Sequence, residues 1–269
     1  MEYSANISML WANLPFLDRV DAAARAGFES IEFWWPPATA LEDGIDPLVR
    51  RVHDAGLRVG LINFYAGDMA AGDRGLPSDL ERYADFRESV PVALELAGKV
   101  GCRRLNALAG NVTSDASRGA QWKMLVESIR FAATAAKKVG MSVMLEALNP
   151  VDTPKYMLLG TDRALQLIRE TAADNVRFQL DVYHLAIAGE DPLAAIARAG
   201  SLIGHVQFAD APGRHEPGTG SLPFPAILRA LASVGYTDPI GLEYVPSDPD
   251  NPDFGFLAGL DASAAAPRG

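Results

Sequence analysis

The runs Ser142-Val-Met-Leu-Glu146 and Val176-Arg-Phe-Gln-Leu-Asp181 are short apolar segments, and each of them ends in a carboxylate. Segments with helical patterning lie between runs of this kind, so strands and helices alternate along the chain. Six similar runs begin at Ile7, Ser30, Arg58, Arg104, Ile203 and Ile240. Eight strands alternating with helices in 269 residues favour a single (β/α)8 TIM barrel over an open, doubly wound sheet.

One helical segment shows the pattern clearly. Leu125, Ile129 and Ala132 recur at steps of three and four residues, which places them on one face of a helix. No linker or shift in composition marks a second domain. We therefore predict one barrel domain over residues 1–258 and a loose C-terminal tail over residues 259–269, where Ala is frequent without helical periodicity.

Composition and charge exclude several classes of partner. The chain has 24 Lys and Arg residues against 34 Asp and Glu residues, a formal net charge of -10, which disfavours binding to nucleic acid or to an anionic membrane. The single cysteine, Cys102, cannot form an internal disulfide, and no apolar stretch is long enough to cross a membrane. We expect a cytoplasmic protein with a structural cysteine and with no nucleic-acid or membrane partner.

Four consecutive predicted strands end in the polar residues Glu146, Asp181, Gln207 and Glu243. The carboxyl ends of barrel strands meet at one mouth, so these side chains are expected to converge there. Three converging carboxylates repel one another at a cost of roughly several kcal/mol each unless a cation, protonation or basic partners compensate. All four side chains offer oxygen, which predicts Mg²⁺ or Mn²⁺ rather than zinc. The alternative is a separate ion pair for each carboxylate.

Further polar residues surround these strand ends. Gln179 and His205 each lie two residues before a strand end, so strand alternation points them into the barrel beneath the predicted ligands, which they would orient. His184 follows Asp181 by three residues and is placed to reach the same mouth. Each histidine also fits a structural role, and that role is favoured for His53, inside a helical segment.

The motifs around these positions are Glu146-Ala-Leu-Asn-Pro, Gln179-Leu-Asp-Val-Tyr-His184, His205-Val-Gln-Phe-Ala-Asp-Ala-Pro-Gly-Arg214-His215 and Gly241-Leu-Glu-Tyr. Together they resemble the hydroxypyruvate isomerase family, which belongs to the xylose-isomerase-like barrels. The N-terminal half agrees through Gly27-Phe-Glu-Ser-Ile-Glu32 and through the loop around Asp73-Arg74-Gly75. The resemblance covers roughly residues 5 to 246.

The resemblance implies roles for individual residues. Glu146, Asp181, Gln207 and Glu243 match the family's ligands for a divalent metal ion, with Gln207 where many sugar epimerases of the superfamily carry His. Glu146 and Glu243 also match its pair of acid/base carboxylates. The cofactor is therefore expected to be Mg²⁺ or Mn²⁺.

A second group of residues is expected to contact the substrate. His184 falls where related barrels have a polar site residue. Arg214 and His215, in the loop after the seventh strand, are suited to hold a substrate carboxylate. Glu32 and Asn63 end the second and third strands, where they either line the opposite wall or make structural hydrogen bonds.

The activity that the resemblance implies is the interconversion of hydroxypyruvate and tartronate semialdehyde. A carboxylate removes a proton from one carbon, an enediolate forms, and a proton returns to the neighbouring carbon. A 2-oxo-tetronate isomerase is the nearest alternative, because its substrate has the same 2-oxo-3-hydroxy acid arrangement. A ketose 3-epimerase is disfavoured by Gln207 and by the basic pair Arg214 and His215.

Two other classes fit the sequence less well. A phosphodiesterase like endonuclease IV needs a multi-zinc cluster, for which four histidines and a net charge of -10 give little support. A non-catalytic barrel that binds a sugar acid has little reason to hold two glutamates beside a metal. The expected partner is a small hydroxy-oxo acid. The sequence is compatible with a homo-oligomer. The loop around Arg74 fits either a lid or a subunit contact.

Overall fold

The computed structural model describes residues 1–265. Eight parallel strands close into a barrel, in which each strand pairs with the next and β8 pairs with β1. The strands are β1 (Tyr3–Asn6), β2 (Ser30–Phe33), β3 (Arg58–Asn63), β4 (Arg104–Asn106), β5 (Ser142–Glu146), β6 (Val176–Asp181), β7 (Ile203–Phe208) and β8 (Ile240–Leu242). The predicted (β/α)8 barrel is confirmed.

Helices connect the strands around the outside of this barrel. They are α1 (Phe16–Arg25), α2 (Asp46–Asp54), α3 (Tyr83–Lys99), α4 (Arg118–Lys138), α5 (Thr161–Thr171), α6 (Val182–Ile187), α7 (Pro192–Ala199), α8 (Phe224–Ser233) and α9 (Phe256–Ala265). Short 3₁₀ turns occupy Ala38–Ala40 and Gly200–Leu202. Within the described residues, none of the helices combines the length and apolar character that crossing a membrane requires.

Helix α4 illustrates how the sequence produces these elements. Its residues Leu125, Ile129 and Ala132 form one face and are buried, as their spacing predicts. Gly140, just after the helix, has a φ of +70°, a left-handed conformation that glycine adopts without the strain of a side chain. This glycine lets the chain turn directly from α4 into β5.

The first strand lies earlier than the sequence predicts. Residues 7–10 have the apolar pattern of a strand, but β1 is Tyr3–Asn6 and the residues after it form turns. Ile7 and Leu10 are buried because this loop packs into the main apolar core. An apolar loop therefore resembles a strand, whereas the true strand carries the polar residues Ser4 and Asn6 into the barrel and is hard to recognise by hydrophobicity.

The C-terminal segment also has more regular structure than a loose tail. Residues 259–265 continue α9, in which Leu260 is buried, and this helix packs against α8. The boundary expected at residue 258 therefore falls inside a helix, and residues 266–269 lie outside the described part of the chain. The division into barrel and tail stays a prediction.

The barrel interior below the strand ends is partly polar. Ser30 Oγ donates a hydrogen bond to Ser4 Oγ (3.1 Å). Gly241 in β8 has no room for a Cβ, because the carboxylate of Glu32 occupies that space. Cys102 is buried nearer the other end of the barrel and donates its thiol hydrogen to the carbonyl of Arg104 (3.1 Å). Burial raises the pKa of this thiol to about 12, as befits a structural residue.

Candidate active site

A cavity of about 150 Å³ lies at the carboxyl ends of the strands. Glu146 is the last residue of β5, Asp181 is the last of β6, and Glu243 directly follows β8. The barrel thus brings together the three carboxylates that the sequence placed at strand ends. The cavity is lined by Trp34, Asn63, Met69, Arg74, Leu108, Glu146, Leu148, Asp152, Thr153, His184, Arg214 and Glu243.

Asp181 is held by the start of helix α6. Its Oδ1 accepts hydrogen bonds from the backbone N–H groups of Tyr183 (2.8 Å) and His184 (3.3 Å). Its Oδ2 is buried and has no hydrogen-bond donor among the described residues, although His184 Nε2 lies 3.8 Å away and Arg214 Nη2 lies 3.9 Å away. Burial raises the pKa of this carboxyl to about 7, against the opposing effect of the Arg214 charge. Asp181 therefore presents one oxygen without a partner.

Glu146 faces the same point. Its Oε2 accepts a hydrogen bond from Asn106 Nδ2 (2.8 Å). Burial raises the pKa of Glu146 well above its usual range, and the charges of Glu243 and Asp181 raise it further. Ligand atoms of Glu146, Asp181 and His184 all lie within 4.8 Å of one another. A buried carboxylate oxygen without a donor, such as Asp181 Oδ2, is a group that a hard divalent ion would satisfy, so the carboxylates of Glu146 and Asp181 fit such an ion.

Glu243 is the most heavily hydrogen-bonded of the three carboxylates. Its Oε1 accepts from Trp34 Nε1 (2.6 Å) and Asn6 Nδ2 (3.1 Å). Its Oε2 accepts from Arg214 Nη2 (2.9 Å). Burial raises the pKa of Glu243, and the Arg214 charge counteracts this rise. These contacts fix the orientation of Glu243 within the cavity wall.

The tautomer of His184 follows from its neighbour Asn149. Asn149 Oδ1 accepts from two backbone N–H groups, which orients the amide so that Nδ2 donates to His184 Nδ1 (2.8 Å). Nδ1 is therefore the acceptor nitrogen, and the ring proton is on Nε2. Burial, with a smaller effect from the Arg214 charge, lowers the pKa of His184 well below its usual value. The ring is a neutral hydrogen-bond donor at the cavity, which suits a substrate oxygen better than a metal ion.

The residues that fix His184 were not singled out from the sequence. Asn149 Nδ2 also donates to Asp152 Oδ2 (2.8 Å), which in turn accepts from the hydroxyl of Tyr183 (2.9 Å). Asn149 belongs to the Glu146-Ala-Leu-Asn-Pro motif, and that motif was the available signal. Asp152 lies further along the loop, where no pattern distinguishes it from a surface residue.

Glu32 lies beneath the cavity rather than in its wall. Its side chain is fully buried (0% exposed) and accepts hydrogen bonds from Asn6 Nδ2 (3.0 Å), Gln207 Nε2 (2.7 Å) and His205 Nε2 (2.7 Å). Gln207 Oε1 accepts from Gln179 Nε2 (2.6 Å). Because Glu32 accepts from the NH₂ group of Gln207, the carbonyl oxygen of that amide is turned away from Glu32. His205 and Gln179 thus lie below the strand ends, where strand alternation puts them.

The loop after β7 brings Arg214 to the cavity. Arg214 has a φ of +56°, held by its N–H donating to the carbonyl of Asp210 (2.9 Å) and by its own carbonyl accepting from Val245 N (2.9 Å). His215, next to it, is turned away, with Nδ1 2.7 Å from the Val245 carbonyl oxygen. Of this predicted basic pair, Arg214 lines the cavity and His215 does not. Asn63, at the end of β3, lines it as well.

Comparison with known proteins identifies the family. A family model for the xylose isomerase-like TIM barrel matches residues 20–264. The chain is 38% identical to a putative hydroxypyruvate isomerase from Streptomyces coelicolor, with 99% of this chain and 98% of the relative covered. It is 37% identical to a 2-oxo-tetronate isomerase from Cupriavidus necator, with 95% and 96% covered. A solved structure described as an AP endonuclease, family 2, from Brucella melitensis has a TM-score of 0.88 at 34% identity, with 96% and 98% covered.

The extent of these matches agrees with the closed eight-stranded barrel and with the acidic residues at its strand ends. They show that the chain belongs to the xylose isomerase-like TIM barrel family, as one of its isomerases.

Proposed function

We propose that the chain is a divalent-metal-dependent isomerase that interconverts hydroxypyruvate and tartronate semialdehyde. The observation that carries this proposal is the cluster of three buried carboxylates: Glu146 and Glu243 line one small cavity, and an oxygen of Asp181 lies within 4.8 Å of one of Glu146. Asp181 Oδ2 is buried and lacks a donor among the described residues. The names of the similar isomerases from Streptomyces coelicolor and Cupriavidus necator support an oxo-acid substrate.

The metal ion would be held by Glu146, Asp181, Gln207 and Glu243. A divalent ion bound there supplies a Lewis acid that stabilises negative charge on the substrate oxygens. The protein prepares these ligands in advance: Asn106 orients Glu146, and the backbone N–H groups at the start of α6 orient Asp181. Raised carboxyl pKa values reflect burial and mutual repulsion of charge, which a divalent cation would relieve.

Glu146 and Glu243 are the acid and base of the proposed reaction. One carboxylate takes the proton from the hydroxyl-bearing C3 of hydroxypyruvate, and an enediolate forms. A proton is then returned to C2, and the hydroxyl proton passes from the C3 oxygen to the C2 oxygen, which leaves an aldehyde at C3. The pKa values of both glutamates are raised, which brings them nearer to the pH at which the enzyme operates. A group with such a pKa can both take up and release a proton. His184 donates its Nε2 proton to a substrate oxygen.

A 2-oxo-tetronate is the second candidate substrate. The cavity of about 150 Å³ is small, since one water molecule takes up about 30 Å³ in the liquid. A groove of about 820 Å³ adjoins it and shares Trp34 and Met69 with its lining. A fourth carbon has room to extend in that direction. The relative from Cupriavidus necator named as a 2-oxo-tetronate isomerase favours testing this substrate beside the three-carbon one.

The histidines give little support to a zinc phosphodiesterase, despite the similarity to the Brucella melitensis structure. Of the four histidines, His205 contacts Glu32 beneath the site. His53 Nε2 lies 2.9 Å from the carbonyl oxygen of Lys99, and His215 contacts the carbonyl of Val245. Only His184 is left at the cavity to supply nitrogen, and a multi-zinc cluster needs several such ligands.

Solvent-deuterium exchange tests the proposal directly. The protein is incubated in D₂O with hydroxypyruvate or a 2-oxo-tetronate and with Mg²⁺, Mn²⁺ or Co²⁺, and the carbon-bound protons are followed by NMR. We expect metal-dependent exchange together with formation of the isomeric aldehyde, and we expect EDTA to abolish both. Comparison of kcat/KM between the two acids identifies the preferred substrate. Absence of exchange with every metal and acid would refute the isomerase proposal.

A variant of Glu243 tests its proposed role in proton transfer. Glu243→Gln keeps the size of the side chain but removes one carboxylate of the proposed acid/base pair, so kcat should fall by about 10²- to 10⁴-fold at saturating metal. Glu127→Gln, on the exposed surface of α4, is the matched control and should keep wild-type kcat. A Glu243→Gln enzyme with near wild-type turnover would remove Glu243 from the proposed acid/base pair.

A further inference from the structure

Arg74 is a cation at the cavity whose donors are only partly used. It lies in the loop between β3 and α3 and lines the cavity beside Met69. Its Nη1 donates to the carbonyls of Met69 (3.0 Å) and Asp73 (2.6 Å). Within residues 1–265, its Nε and Nη2 donate to no protein group, and no carboxylate oxygen lies within 4.0 Å of the guanidinium to form an ion pair. Two sets of strong donors are thus free.

The free donors have the geometry of a carboxylate receptor. In the planar guanidinium, the N–H of Nε and one N–H of Nη2 lie side by side on the same edge. Two parallel donors of this kind match the two oxygens of a carboxylate and bind it in a bidentate manner. The carbonyls that bind Nη1 hold the opposite side of the group, so the free edge is already oriented.

The backbone around Arg74 is fixed as well. The carbonyl of Arg74 accepts from Gly110 N (2.8 Å), and Gly75 N donates to the carbonyl of Ala66 (3.0 Å). Gly75 has a φ of +104°, and a Cβ there would collide with the backbone of Leu108. A side chain at position 75 is therefore excluded by both backbone conformation and space. The position of Arg74 does not depend on its own side-chain contacts alone.

Asp73 adds a second anchor to this loop. Its carboxylate accepts from Arg82 Nη1 (3.0 Å) and Nη2 (2.7 Å), and the same arginine pairs with Asp79. The carboxylate that precedes Arg74 in the sequence therefore forms its ion pair with Arg82. Arg74 itself forms no ion pair with a described residue, although its charge helps to lower the pKa of Asp73.

Arg214 is not equivalent to Arg74. It donates to Glu243 (2.9 Å) and lies 3.9 Å from Asp181, so its charge is already matched by carboxylates of the site. Three carboxylates are balanced by a divalent ion together with Arg214. A fourth carboxylate, Asp152, also lines the cavity, but it accepts from the neutral groups of Asn149 and Tyr183. It lies beyond ion-pair distance of Arg74, whose Nε and Nη2 edge is left for the carboxylate of a substrate.

We propose that Arg74 binds the carboxylate of the substrate and thereby selects singly charged 2-oxo-3-hydroxy acids over neutral ketoses. This inference rests on the proposed function, because it assumes that the cavity holds the reacting part of such an acid. Arg74 is a substrate-binding residue in this assignment, and it takes no part in proton transfer. Its effect should therefore appear in binding of the acid and in KM, with kcat nearly unchanged.

The test measures binding and kinetics in parallel. Calorimetry with Mn²⁺-loaded protein uses glycerate as a non-isomerising acid and dihydroxyacetone as a neutral probe of similar size. Arg74→Met should weaken glycerate binding by about 100-fold, the range for loss of a charged hydrogen-bonded pair, without changing dihydroxyacetone binding. Arg74→Lys should recover part of the loss, because the charge remains but the bidentate edge does not. The KM for hydroxypyruvate should rise by a similar factor.

Arg82→Met is the matched control, since it alters the anchoring of the same loop outside the cavity. It should weaken glycerate binding much less than Arg74→Met. Equal losses in the two variants would attribute the effect to loop order and overturn the assignment of Arg74. If the wild-type enzyme isomerises hydroxypyruvate and Arg74→Met has the same KM, the assignment of Arg74 is also wrong. The proposed isomerase function would stand in that case. Glycerate binding that depends on Arg74 in a protein without isomerase activity would instead refute the proposed function alone.

Discussion

Glu32 is a single buried carboxylate that orders side chains from two other strands. It accepts hydrogen bonds from Asn6 in β1 and from His205 and Gln207 in β7. Asn6 Nδ2 also donates to Glu243 Oε1 (3.1 Å). Glu32 is thus connected both to a proposed metal ligand and, through one amide, to a proposed acid/base residue. We regard it as a positioning residue.

Glu32→Gln should weaken metal binding more than it changes the chemistry. The new NH₂ group would face donors from its neighbours, so the amide of Gln207 would lose its fixed orientation. Loss of such an outer partner typically costs 10- to 100-fold in metal affinity, so we expect about that loss for Mn²⁺ by calorimetry. Activity should recover in part at high metal concentration.

The control is Glu29→Gln, which changes an exposed residue directly before β2 and should leave Mn²⁺ affinity and activity unchanged. Unaltered Mn²⁺ affinity in Glu32→Gln would contradict the positioning role.

The positions of individual residues were predictable where the barrel itself determines them. Glu146 and Asp181 end strands, and the ends of parallel strands meet whatever the loops do. Glu32 was less predictable, because the pairing of β2 with β3 places it beside Leu61, two residues below Asn63. Arg74 has no such constraint from a strand. Its side chain reaches the cavity only through the folded conformation of a long loop, which local sequence patterns do not reveal.

Among the structural elements, the β7–α8 loop (residues 209–223) depends strongly on one side chain. Asp210 Oδ1 accepts from the backbone N–H groups of Ala211 (2.9 Å) and Leu222 (3.1 Å), and Oδ2 accepts from Gly218 N (2.8 Å). The carboxylate thus ties both ends and the middle of the loop together. This arrangement holds Arg214 in its left-handed conformation beside Glu243.

Removal of this carboxylate should affect stability and activity together. Asp210→Ala leaves three backbone N–H groups without their acceptor, so the free energy of unfolding should fall by about 3 kcal/mol in urea denaturation. Displacement of Arg214 by about 1 Å should lower kcat/KM by about 100-fold.

Asp191→Ala is the control, because it removes a carboxylate that accepts from Leu193 N (2.9 Å) at the start of α7. It should cost about 1 kcal/mol of stability and leave kcat/KM unchanged. Equal kcat/KM in the two variants would contradict the role of Asp210.

Most elements were predictable from the alternation of apolar runs with helical segments. β2, β3, β5 and β6 coincide with the predicted runs because their apolar residues lie buried between the barrel interior and the helices. The exception at β1 arose because burial makes a loop apolar as well as a strand. α9 escaped prediction for the opposite reason, since its Ala-rich sequence has little amphipathic pattern, although Leu260 is buried.

For the molecule as a whole, the net charge of -10 conceals two kinds of acidic residue. Most surface carboxylates have cationic neighbours or solvent, as Asp174 does with Lys137 (2.7 Å). Glu146, Asp181 and Glu243 instead share one buried site in which only Arg214 supplies a compensating charge within ion-pair distance among the described residues. Without a divalent ion, this site is a source of instability in the barrel.

Metal binding should therefore stabilise the protein more at higher pH. The pKa of Asp181 is raised to about 7, above the value of about 4 for an unfolded chain, so the metal-free fold binds protons more tightly than the unfolded state does. The stabilising effect of these protons is complete below about pH 4 and is lost as the pH rises through 7. The increase in Tm on adding Mn²⁺ should therefore grow between about pH 5.5 and pH 7.5, measured by scanning calorimetry against EDTA-treated protein. Asp181→Asn should weaken this dependence, and a constant increase in wild type would contradict the explanation.

The burial of Cys102 offers a way to watch the barrel open. As the single thiol of the chain, with a raised pKa and no exposed surface, it is shielded from disulfide reagents in the native state. Modification then requires an opening that exposes the start of β4. When reclosing is faster than labelling, the labelling rate gives the free energy of that opening. The labelling rate of the natural thiol of Cys102 can therefore report unfolding, without an engineered cysteine.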